Sequence, residues 1–208
     1  MWREENTHPG KQACYNITLS TVDCVDIFVR PVYKQVVVHT LNYFIEHKGL
    51  VVYAWCLMSN HLRLLARPED GHKIEDIEHD YKSFTTAKIF EAIDTEPETR
   101  KSWIMDRFEH FGSIFSLSKK FQVWQTGNSP SHIDLRKTEL LLEQFEQIHQ
   151  HPVRDRIVDA AQEYLYSSAR DYSGMKGLVD ITKLPAIEQQ LAAVENMNGS
   201  FLVKYIRN

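Results

Sequence analysis

The chain has 208 residues, is 43% hydrophobic and 25% charged, and holds only 8 glycines and 7 prolines. That suits one well-cored soluble domain with short appendages and excludes a low-complexity chain. A formal net charge of −4 argues against a general, charge-driven nucleic-acid binder. No apolar run approaches the roughly 20 residues of a membrane helix, and the leading MWREENTHPGKQ is too polar for a signal peptide. Cys14, Cys24 and Cys56 are odd in number and never form C-x-x-C, so reduced thiols and a cytoplasmic location are expected, without a disulfide framework or a zinc knuckle. Charge is uneven, because Arg100 to Lys137 carries seven Lys/Arg against three acids, which leaves room for a local basic surface.

Residues 1–12 read as a flexible lead-in. Ala13 to Val22 has strand composition, with Tyr15, Ile17 and Leu19 alternating. Val32 to His47 has helical spacing, with Pro31 near its start and Gly49 just after its end. Leu50 to Arg67 then reads as two apolar strands joined by a turn at Met58-Ser59-Asn60, rich in β-branched and aromatic residues. Side chains alternate across a strand, so Leu62, Leu64 and Ala66 share the core side, while His61, Arg63 and Leu65 share the other. Lys73 to about Ile93 and Ser102 to Phe115 are predicted helices. FQVWQ (121–125) is a predicted strand, residues 127–130 a loop, and Leu135 to Gln150 a helix that Asp134 caps and Pro152 ends. From Thr182 a further helix and a strand-like FLVKYI are expected.

This order is α+β, and its simplest architecture is one antiparallel sheet with helices on one face. The other face, bearing His61 and Arg63, would be available for a ligand or partner.

Several separated segments together resemble one family in the right order. They are ACYNITLSTVDCVDIFVR, VVYAWCLMSNHLRLLARPEDG, DYKSFTTAKI, FQVWQTGNSP, IHQHPVRDRIV and EYLYSSARDYSGMKGLVDI, covering about residues 13–181. The set is similar to the REP-associated tyrosine transposases, the insertion-sequence-200-like branch of the HUH single-strand endonucleases. The resemblance implies a ferredoxin-like (RRM-like) transposase domain over 13–181 and a C-terminal extension over 182–208. It implies a homodimer acting in DNA transposition on a single-stranded or hairpin DNA end, with no membrane role. It further implies a tyrosine nucleophile and a divalent metal, Mg²⁺ or Mn²⁺, held by two histidines spaced H-x-H. Two such residues lie about 7 Å apart on one strand face, where a metal would polarise the scissile phosphate.

The chain departs from that pattern at both chemical centres. The first metal histidine falls on His61, but the second falls on Arg63. A guanidinium is never deprotonated and cannot coordinate a cation. At ~4 Å and an effective dielectric of ~20, its repulsion of a divalent ion is on the order of several kcal/mol. The nucleophile position, five residues ahead of Pro152, is Gln147, and an amide does not attack a phosphate. His151 lies i+4 from it. No catalytic position is intact across His61, Arg63 and Gln147, and no cofactor is expected unless cleavage survives.

Alternatives stand beside this. His61 with His149 or His151 would make a rearranged metal site, against coincidence in a chain with 10 histidines. Arg63 would grip a DNA phosphate or pair with a carboxylate. Asn60, His61, Arg63, Gln147 and His151 form the expected DNA-facing set. Lys82, Lys88, Lys119, Lys120, Arg136 and Lys137 would follow a phosphate backbone, each against a solvated-surface alternative. Tyr164, Tyr166 and Tyr172 are read as structural rather than as substitute nucleophiles. The leading expectation is a transposase-like DNA-binding protein that has lost cleavage; an active nickase with displaced residues and a protein-interaction scaffold are the others.

Overall fold

The computed structural model describes residues 13–115, 121–127 and 129–190. Four strands, β1 (Ala13–Ser20), β2 (Leu50–Leu57), β3 (His61–Pro68) and β4 (Ser131–Asp134), form one antiparallel sheet in the spatial order β2-β3-β1-β4. Helix α1 (Pro31–His47) joins β1 to β2, while α2 (Ile74–Thr95) and α3 (Lys101–Phe115) lie between β3 and β4. This is the ferredoxin-like arrangement within the α+β class. Pro31 opens α1 and Gly49, at φ +66, lets the chain turn straight into β2. No helix among the described residues is long and apolar enough to cross a membrane.

The alternation read from the hairpin holds. Leu62, Leu64 and Ala66 join Trp55, Leu57 and the inner residues of α1 and α2 in a first core. A β-bulge between Val52 and Ala54 places Tyr53 and Ala54 together on the opposite side, with Cys56 and Leu65. Trp55 and Trp124, fully buried, belong to the first core.

The second face of the sheet is not open as expected. Helix α4 (Thr138–His149) lays Leu141, Phe145 and Ile148 over Ala54, Cys56 and Leu65, and Leu184 and Ile187 join the same cluster. The elements that cover this face come late in the chain, and only tertiary contact assigns them to it. Residues 164–182 also run along the free edge of β2. Leu57 N–H donates to Tyr166 O (2.9 Å), Ser168 N–H to Trp55 O (3.0 Å) and Thr182 N–H to Val52 O (2.8 Å). Tyr164 and Tyr172 hydroxyls donate to Leu57 O (2.7 Å) and Tyr53 O (3.0 Å). The edge that would otherwise pair with another chain is thereby sealed.

Two local expectations are corrected. FQVWQ is not a strand: only Trp124 bridges to Thr21, and the fourth strand is Ser131–Asp134 instead, paired with Ala13–Asn16. Val123 and Trp124 are drawn into the first core, where the indole N–H donates to Thr85 Oγ1 (2.7 Å), so the segment ties down the end of β1 rather than extending the sheet. Asp134 does not cap α4. Its carboxylate accepts from the Arg136 amide and guanidinium, closing the turn after β4, and the helix starts after Lys137 without a side-chain cap. The break at Pro152 is where expected, since proline has no N–H to give Ile148 O, and a four-residue helix α5 (His151–Arg154) follows directly. The expected helix after Thr182 is present at 185–190, and FLVKYI lies outside the described residues.

His149, at the end of α4, is buried with Nε2 2.8 Å from Ser168 Oγ and its ring 4.2 Å from that of Phe145, edge to face. Burial pushes its pKa down to about 3. The unfolded chain therefore binds a proton near pH 6.5 that the folded chain refuses, and stability falls as pH drops below about 6.5. Urea unfolding between pH 7 and pH 4 is expected to show this slope, and His149→Gln to reduce it, with the remainder coming from His61 and His151, which folding also lowers. Tyr164→Phe leaves Leu57 O without its buried donor and is expected to lower unfolding free energy by about 1–2 kcal/mol in the same measurement.

Candidate nucleic-acid interface

The turn that delivers His61 is fixed from both sides. Thr21 donates its N–H and its Oγ1 to Asn60 O (2.9 and 3.0 Å), Phe28 N–H donates to Ser59 O (2.9 Å), and Met58 N–H donates to His61 O (2.8 Å). His61 and Arg63 then emerge on the second face, opposite Ser20 and Thr18 of β1. Leu65, one step further, lies under α4. Because α4 stops at His149, the His61 end of this face is only partly covered: Thr18, Ser20, His61 and Arg63 are all half-buried. The chain beyond the break brings His151 over His61.

The two imidazoles meet at 3.3 Å, His61 Nε2 to His151 Nδ1, with ring centroids 4.8 Å apart. Asn60 Oδ1 lies 2.8 Å from His61 Nδ1. That amide oxygen can only accept, so Nδ1 carries the proton and Nε2 is a lone pair. The proton in the gap between the rings then belongs to His151 Nδ1, and His151 Nε2 faces Asp155 Oδ2 at 3.7 Å. Burial, with His151 and Arg63 adding to it, pushes the His61 pKa down to about 4, while Asp155 opposes. His151 is also lowered, by burial first; Asp155 opposes, and Arg63 and Arg154 add to it. At neutral pH the pair is uncharged and the positive charge of the site is carried by arginine.

Asn60, His61, Arg63 and His151 are thus brought together. Gln147 stands a turn before His151, and its amide donates to Glu143 Oε1 (3.1 Å) within α4. Lys82 and Lys88 lie on α2, across the sheet, paired with Glu78 and with Glu91 (2.8 Å). Arg136 is locked bidentately on Asp134, and Lys137 is the N-cap of α4. Lys119 and Lys120 lie outside the described residues. His149 is held in the core by Ser168 and does not join His61. Tyr164 and Tyr172, with hydroxyls spent on backbone carbonyls and pKa raised by burial, are structural.

Sequence reasoning missed Thr18, Ser20, Lys34, Arg154 and Asp155. One signal was present: Cys14, Asn16, Thr18 and Ser20 alternate with Tyr15, Ile17 and Leu19 and grow more polar toward His61. Lys34 stacks over the rings of Tyr166 (4.4 Å) and Tyr164 (5.6 Å), so its charge is already engaged.

The residues do not fit the metal that the resemblance implies. His61 and His151 offer two nitrogens, Arg63 sets a fixed positive charge beside them, and His151 is turned toward Asp155 on its far side. Among the described residues no three His, Cys, Asp or Glu side chains are grouped to hold a metal ion.

No family model and no curated protein matches the sequence. Solved structures do. A REP-associated tyrosine transposase bound to a REP hairpin is 14% identical, with 89% of this chain and 96% of that chain covered at a TM-score of 0.55. A Deinococcus radiodurans protein assigned as a transposase is 16% identical over 70% of this chain and 95% of that one, but its TM-score of 0.41 falls short of a shared fold. An antiparallel β2-β3-β1-β4 sheet, its two layers of helices and that near-complete overlap together give this chain the fold of a REP-associated tyrosine transposase.

Proposed function

We infer that this is a transposase-like DNA-binding protein that recognises a folded single-stranded DNA end and no longer cleaves it. The observation that carries the reading is Arg63, a permanent cation beside His61 and His151, at the position where the resemblance calls for a second metal histidine. Without a metal the scissile phosphate loses its Lewis acid. Gln147, at the nucleophile position, supplies no hydroxyl for attack. Both losses fall on chemistry and neither falls on shape, because His61, Arg63 and His151 still share one half-open surface. Support for DNA as the ligand comes from the fold shared with a transposase solved on a REP hairpin. The same reading takes the protein to be a cytoplasmic homodimer.

The test is an incubation of end-labelled hairpin and unstructured single strands with the full chain. Hairpin DNA is expected to shift at low salt and to be released as salt rises, with no nicked product and no covalent adduct in Mg²⁺ or Mn²⁺. Failure to shift at low salt removes DNA binding from the reading; an adduct that survives denaturation removes the loss of cleavage.

A further inference from the structure

The arginines of the described chain fall into two groups, paired and unpaired, and the unpaired ones are Arg63, Arg154 and the exposed Arg156. Arg30, Arg100, Arg107 and Arg136 are paired with carboxylates, while Arg67 and Arg170 give hydrogen bonds to Tyr53 Oη and Gln162 O. Arg63 has no such partner among the described residues, although it is half-buried. Among charged side chains it feels the field of Arg154, a like charge, likewise without an ion pair among the described residues. The acid-capable group beside it, Cys56, is fully buried and has its thiol pKa pushed up to about 12 by that burial, so it stays protonated and gives no counter-charge. Asp155, 3.7 Å from His151 Nε2, makes no ion pair with Arg63. A half-buried guanidinium on the sheet face with no carboxylate paired to it is costly to hold, and the exposed Arg154 adds like charge to its surroundings. The surroundings are those of an anion site. Thr18 Oγ1 and Ser20 Oγ, cross-strand from Arg63 and His61, make no side-chain hydrogen bond to a described residue and are free to donate.

We propose that Arg63, seconded by Arg154 and the hydroxyls of Thr18 and Ser20, binds a phosphate group directly, so that a guanidinium does the electrostatic work of a metal ion and recognition needs no divalent cation. A planar guanidinium matches a phosphate with two parallel N–H···O bonds, which a metal-free pair of neutral imidazoles cannot supply. The inference rests on the DNA-binding reading only for the source of the phosphate; the site itself takes any accessible phosphate oxygen pair.

Inorganic phosphate is the first probe, titrated into the full chain in chloride buffer with EDTA and followed through the Arg side-chain N–H and His61 ring resonances. Saturable shifts at Arg63 and His61 are expected, with affinity reduced about tenfold or more in Arg63→Gln, several-fold in Arg154→Gln, and partly kept in Arg63→Lys. Hairpin DNA binding, measured alongside, is expected to be equal in EDTA and in Mg²⁺ and to weaken in Arg63→Gln. Circular dichroism and urea unfolding show whether each variant is folded; if Arg63→Gln is not, Arg154→Gln and Arg63→Lys decide. Phosphate binding that Arg63 and Arg154 substitutions leave unchanged, no phosphate binding at all, or DNA binding that requires Mg²⁺ overturns the proposal. Arg63-dependent phosphate binding without hairpin binding removes the DNA reading and keeps the site, whereas hairpin binding indifferent to Arg63 does the reverse.

Discussion

Strand β3 is hydrogen-bonded along both sides, to β1 through Tyr15–Ser20 and to β2 through Leu50–Leu57. A strand held on both flanks cannot slip by one residue without turning every side chain to the opposite face. Leu62, Leu64 and Ala66 are committed to the first core, and that commitment dictates where His61 and Arg63 point. The site is therefore a by-product of the fold's most constrained element. A side chain can be exchanged there without the backbone registering it.

Much of this was legible in the sequence, because a hairpin obeys local rules. The two-residue period, the turn at 58–60 and the helix between Pro31 and Gly49 each depend on near neighbours. What was not legible depends on distance. FQVWQ has the composition of a strand, and the same apolar residues serve as well to plug Val123 and Trp124 into a core. Asp134 has the chemistry of a cap and spends it on Arg136 instead. The covering of the second face by α4 and by residues 184–187 could not be read from periodicity, since an amphipathic helix does not declare which surface it meets.

The candidate site divides along the same line. His61 and Arg63 follow from strand parity, and His151 follows from its place after the helix break. Arg154, Thr18 and Ser20 enter only when strands and helix are set side by side. Electrostatics then separates roles that the sequence blurs: of the histidines near this surface, His61 and His151 are lowered in pKa at its edge, whereas His149 is wholly interior. Charge at neutral pH resides in guanidinium groups, which do not titrate.

His149 and His151 are two residues apart and serve different masters. The first is bonded to Ser168, which accepts from Trp55 N–H and so anchors the strap along β2; the second faces His61. Ser168, in the strap of residues 164–182, thus ties the end of α4 to β2, and the chain runs from that end directly to His151. By linkage, whatever free energy a ligand at the His61 surface would gain from a seated strap, the strap would gain from that ligand. The far edge of the sheet is in this sense tied to the helix end from which His151 follows, through residues that do not line the His61 surface.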